Sequence, residues 1–177
     1  MEQHVNKIRG MACFIFTIIG FLLLNPSDLL YWTNFNQSSG TLGFILNFLW
    51  LLYFTIDLCV TISYRHKFQR KVFPLFLHHI LAMSGILMHF WDPPKFLFLY
   101  ITSEALTAAR VLPCKWRDFA RHYVFMYRRL LWVYLVFVAV AMQKHFMLTV
   151  NIALICLDIK WWGELSKKAQ MKHTPSG

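Results

Sequence analysis

Six ionisable side chains stand inside stretches that are otherwise apolar: Asp57, His78, His79, Glu104, Arg110 and Asp158. Such groups are costly away from water, so they mark candidate functional positions by default. An imidazole is a usable base near neutral pH, and a carboxylate can orient it and stabilise its cation. The candidate catalytic set is therefore His78, His79 and Glu104. Adjacent residues on a helix point about 100° apart, so at most one of the two histidines aims straight at a given centre. The other can bond a neighbouring helix. A purely structural reading also stands: Asp57 and Asp158 would pair with Arg110 or Lys160, and the polar set would act as helix glue worth about 1 kcal/mol per bond.

The elements that must position these groups read as membrane spans. The chain has 177 residues, of which 58% are apolar and 15% charged, with a mean hydropathy of +0.47. A soluble domain averages roughly 45–50% apolar and about 25% charged residues. A membrane helix needs about 20 mostly apolar residues. Six candidates follow, at residues 11–30, 42–64, 72–91, 95–112, 123–142 and 146–163. Turn chemistry separates them at Asn25-Pro26-Ser27, Gln37-Ser38-Ser39-Gly40, Asp92-Pro93-Pro94 and Leu112-Pro113. The expected fold is an all-α membrane protein, a six-transmembrane-helix bundle. It divides into an N-terminal tail at 1–10, a membrane domain at 11–163 and a basic tail at 164–177.

Counting from the span ends, Asp57, His78, Glu104 and Asp158 all fall roughly 8–12 Å from one membrane face. Four spans thus bring polar groups to a single layer. Helical spacing puts Trp50, Tyr53, Asp57, Thr61 and Tyr64 on one stripe, and His78, Ala82, Gly85 and His89 on another. Glu104 shares a face with Thr107 and Ala108, and Asn151 shares one with Asp158. The expected polar pocket is lined by Tyr53, Asp57, Thr61, Thr107 and Asp158 around the catalytic candidates.

Lys and Arg number 18 against 8 Asp and Glu. Fifteen of the 18 fall before span one, between spans two and three, between spans four and five or at the start of five, or at the end of span six and after it. That asymmetry is the positive-inside pattern and places both termini in the cytosol. The charge then serves topology and anionic headgroups rather than nucleic acid. The stretch after residue 24 offers no small-x-small cleavage site, so span one reads as uncleaved. Asn36-Gln37-Ser38 is a glycosylation sequon in the expected outer loop. The four cysteines are far apart and suggest no disulfide framework. One His-His pair supplies too few ligands for a di-metal hydroxylase, and no metal is expected.

These residues resemble the TLC domain, the six-helix membrane module shared by ceramide synthases, translocating-chain-associated proteins and small TLC domain-containing proteins. The matching stretches are Tyr53-Phe54-Thr55-Ile56-Asp57-Leu58, the basic loop at 65–71, and Phe73-Pro74-Leu75-Phe76-Leu77-His78-His79-Ile80. The last runs from Leu99-Tyr100-Ile101-Thr102-Ser103-Glu104 to Ala105-Leu106-Thr107-Ala108-Ala109-Arg110. The resemblance implies work on membrane lipids in the endoplasmic reticulum. In ceramide synthases a His pair and two acids serve N-acylation by acyl-CoA. Here Glu104 stands where the first acid would be and Thr107 where the second would be.

Three functions remain open. The chain binds or modifies a lipid in a cytosolic-half pocket and acts in sphingolipid and phospholipid balance. Or it is an acyl-CoA-dependent acyltransferase, with acyl-CoA as co-substrate and no other cofactor. Or it is a non-catalytic cargo or partner protein of the secretory membranes. The sequence leaves the lipid and the oligomeric state open, self-association included.

Overall fold

The computed structural model of the chain describes residues 2–31, 34, 37–64 and 72–173. The basic loop at 65–71, Asn36, the Arg110 side chain and the side chains beyond Lys160 lie outside the described residues. The described structure is helical, with an isolated bridge between Ser38 and Pro94.

Helix α1 spans Glu2–Leu23 and takes in residues 2–10 of the basic segment expected as a tail. It stops two residues before Asn25-Pro26. There Asn25 caps the short helix α2, Pro26–Leu30, by accepting a hydrogen bond from the Ser27 amide. Helix α3 covers Gly40–Ser63, entered through Gly40 at φ 64°, a conformation that glycine adopts without strain. Helix α4 covers Val72–Met88.

The stretch expected as span four is broken. Helix α5, Phe96–Thr102, gives way to a turn at Ser103-Glu104, then α6 at Ala105–Ala108 and a 3₁₀ turn at Ala109–Val111. Local side-chain bonds explain the break. Thr102 Oγ1 donates to Leu99 O and Ser103 Oγ to Tyr100 O, and such back-bonding competes with the helix ladder. Pro113 ends the segment by forcing Leu112 into an extended conformation. Helices α7, Cys114–Ala141, and α8, His145–His173, complete the chain.

Three helices are long and apolar enough to cross a membrane, over His4–Leu23, Gly40–Ser63 and Phe119–Ala141. Helix α4 and the Phe96–Ala108 stretch are apolar but shorter. Large apolar side chains face outward along these helices, among them Leu22 at 78% exposure and Leu130 at 69%. Apolar surface on that scale fits a lipid environment.

Helix α1 packs on α5 and α6, α3 on α4, α7 on α8, and α4 also meets α8. Gly20 sets the closest approach. A Cβ there would lie 3.0–3.2 Å from Thr102, Ile101 and the Phe98 carbonyl. Two apolar clusters fill the interior, one around Trp132, Leu135 and Val138, the other around Trp50, Phe54 and Ile86. Tyr100 packs against both. At one end, Ser39 N donates to Pro93 O and Lys95 N to Gln37 O, tying the two connecting loops together.

Candidate functional site

The polar residues of the spans gather into three neighbouring knots. The first joins α1, α3 and α4. Arg9 pairs with Asp57 Oδ1 and donates to Thr61 Oγ1 at 2.6 Å. His79 Nε2 lies 2.7 Å from Asp57 Oδ2, and His79 Nδ1 lies 2.6 Å from Leu75 O. All four side chains are buried.

The donor arithmetic of this knot fixes a proton. Leu75 O can only accept, so Nδ1 must carry a hydrogen. A carboxylate oxygen also only accepts, so Nε2 must carry one too, unless Asp57 holds it. Either way one extra proton resides on the His79–Asp57 pair. The basic lone pair of His79 is therefore engaged within the protein.

The second knot joins α4, α1, α3 and the break between α5 and α6. His78 Nε2 lies 3.6 Å from Glu104 Oε1. Cys13 Sγ donates to Glu104 Oε2 at 3.6 Å, and Tyr53 OH lies 3.1 Å from Cys13 Sγ. The third knot joins α7 and α8. Asp158 Oδ2 accepts from Trp132 Nε1 at 2.6 Å and pairs with Arg128 Nε at 2.9 Å. The Arg128 guanidinium also lies over the Trp132 ring, 5.6 Å from its centroid.

A groove opens from the second knot. His78, Leu81, Ala82, Gly85 and His89 form one wall along α4, and Phe146, Met147, Val150 and Leu154 of α8 form the facing wall. Trp50, Phe96, Tyr100, Ser103, Glu104 and Trp132 close the remainder. The lining is mostly apolar, with His78, Ser103 and Glu104 at one end and His89 at the other. The cavity is small, about 40 Å³. From His78 to His89 it runs about 16 Å along the helix axis, close to half of the ~30 Å hydrocarbon core of a bilayer.

The structure thus brings His78 to Glu104 and His79 to Asp57, in separate hydrogen-bonded groups. Tyr53, Asp57 and Thr61 stand behind the groove wall rather than on it. Asp158 pairs with Arg128 and Trp132, and Asp57 with Arg9, where the sequence suggested Arg110 or Lys160. Thr107 is half-buried and outside the groove lining. Among the described residues, no three His, Cys, Asp or Glu side chains are grouped to hold a metal ion.

The sequence reading does not single out four participants: Arg9, Cys13, Arg128 and Trp132. Both arginines fall among the fifteen cations that the charge asymmetry assigns to topology. The spacing Arg9, Cys13, Thr17, Gly20 was the available signal, since these fall on one helical face and all four are buried. Arg128 and Trp132 are likewise four apart.

Fold and site together define an all-α membrane-type bundle with a buried acid–imidazole centre. The chain matches no family model, no curated protein and no solved structure. The TLC resemblance stands on the quoted residues alone.

Proposed function

We propose that the chain is a six-span, TLC-like membrane protein that binds or modifies a lipid, and so acts in membrane lipid homeostasis. Both termini would face the cytosol, in the endoplasmic reticulum membrane. The observation that carries this reading is the His78–Glu104 pair at the end of an apolar groove of leaflet length. An apolar slot with a few convergent polar groups is the usual form of a small-molecule site. In this reading α4 and the broken 96–111 stretch count as spans held inside the bundle, where neighbouring helices satisfy the freed backbone groups.

Acyl transfer from acyl-CoA is the second reading, and it has a specific basis. His78 faces the groove beside a carboxylate and is the side chain placed to serve as base. His79 is not, because both its nitrogens are engaged.

The test is untargeted lipidomics of cells carrying the wild type, His78→Gln or Glu104→Gln. The expected result is a lipid shift that both substitutions erase at unchanged protein level. Identical lipid profiles with and without the wild-type protein would refute the proposal. Acyl transfer to a long-chain acceptor by the purified protein, lost at least ~100-fold in His78→Gln, would select the second reading.

A further inference from the structure

Three features of the groove narrow its occupant. The first is Trp50. Its side chain is 3% exposed and lines the groove, and its Nε1–H has no hydrogen-bond partner among the described residues. A buried indole N–H normally finds an acceptor. Its level is fixed by the α3–α4 bonds. Asp57 meets His79 below it, and Asn47 Nδ2 donates to Ile86 O and His89 O above it, each at 3.3 Å. Trp50 therefore sits beside Gly85, within about 10 Å of His78 along the groove.

The second feature is width. A Cβ built on Gly85 meets nothing within 4 Å, although the residue lies in a packed helix wall. The glycine leaves open space on the groove side. The cavity of about 40 Å³ compares with ~10–15 Å³ for one water on the same measure. That is room for about three waters, too little for two chains side by side.

The third is charge. Among the described residues, the three knots hold the guanidiniums of Arg9 and Arg128 and the carboxylates of Asp57, Glu104 and Asp158. With one proton on the His79–Asp57 pair, these charges balance among the described residues. A charged headgroup at Glu104 would unbalance them at a site with little water to screen the change.

We infer that the groove takes an uncharged, single-chain lipid. Its hydroxyl head would point toward His78 and Glu104, and its carbonyl oxygen, farther along the groove, would accept the Trp50 indole N–H. This rests on the lipid-site reading above and adds the class of lipid. The 3.6 Å between His78 Nε2 and Glu104 Oε1 lets one hydroxyl oxygen contact both.

The test uses the full chain in nanodiscs with photoactivatable probes: a monoacylglycerol, its alkyl-glycerol ether analogue without the carbonyl, and a diacylglycerol. The wild type should label with the ester roughly three- to tenfold more efficiently than with the ether, the range expected for one hydrogen bond. Trp50→Phe should level the two probes by losing ester labelling while ether labelling persists, which also shows that the variant is folded. Gly85→Leu should block both, and diacylglycerol should not compete. An ester preference that survives Trp50→Phe, equal labelling of the wild type by both, or competition by diacylglycerol overturns this inference and leaves the lipid site standing. Labelling of α4 or α8 by none of the three, in a chain that also leaves cellular lipids unchanged, overturns the lipid site itself.

Discussion

Replacing Asp57 by leucine removes the one carboxylate that faces both Arg9 and His79. Arg9 is 6% exposed and Asp57 7%, so water cannot replace the lost partner. Removing one member of a buried ion pair costs about 3–5 kcal/mol, because the remaining charge is left uncompensated. For a chain of 150–250 residues each kcal/mol moves the melting temperature by about 2–4 °C. The single variant should therefore melt about 6–20 °C below the wild type. The double variant Arg9→Met/Asp57→Leu removes the stranded cation as well. His79 can then stay neutral, with Nδ1–H still donating to Leu75 O. The double should recover most of the loss, leaving a coupling energy of at least ~2 kcal/mol in the cycle. Thermal unfolding followed by circular dichroism in one detergent, on all four proteins, supplies the numbers. A loss under ~1 kcal/mol in Asp57→Leu, or a double variant as unstable as the sum of the singles, would show that the three side chains do not form one charge-balanced unit.

Other substitutions separate the remaining parts. Gly20→Val should cost about 1–3 kcal/mol, since its Cβ meets side-chain and backbone atoms of α5 at 3.0–3.2 Å, whereas Gly85→Ala should stay within about 0.5 kcal/mol; melting temperatures of the two variants decide it. Trp132→Phe removes a donor to a buried carboxylate and should cost about 1.5–3 kcal/mol by the same assay. Topology can be read with single cysteines and an impermeant maleimide on sealed vesicles. Cysteines at Ser38 and Lys144 should label from one side and a cysteine at Trp116 from the other; any other pattern rules out the six-span arrangement.

Much of the fold was legible because lipid leaves few options. The apolar runs at 42–64 and 72–91 became α3 and α4 within a few residues, and Asn25-Pro26 and Leu112-Pro113 ended their helices as their backbone chemistry requires. The break at Ser103-Glu104 was less visible. Hydropathy is blind to a hydroxyl that bonds its own preceding turn, and Thr102 and Ser103 both do so. Depth counted from span ends gathers Asp57, His78, Glu104 and Asp158, but it does not give their pairings. Distance from a span end gives height in the membrane and says nothing about which helices adjoin. Arg9 shows the consequence: counted as a flank of span one, it belongs to a helix that starts at Glu2, and its face turns toward α3.

The two adjacent histidines carry the sharpest consequence of that packing. Their rings stand perpendicular, centroids 5.8 Å apart, so one backbone segment serves two environments. His79 points to Asp57 and holds α4 against α3 and α1. His78 points to Glu104 and the groove. Glu104 reaches it because the chain is not helical there: the turn between α5 and α6 sets the carboxylate where it meets α4 and α1 together. The pair should therefore divide on substitution. His79→Gln should lower the melting temperature by several degrees, since it breaks hydrogen bonds to a carboxylate worth about 1.5–3 kcal/mol. His78→Gln loosens a longer contact, 3.6 Å to Glu104, and should move it less while abolishing the lipid phenotype. Equal destabilisation by both would place His78 in the structural network, and the groove would lose its polar end.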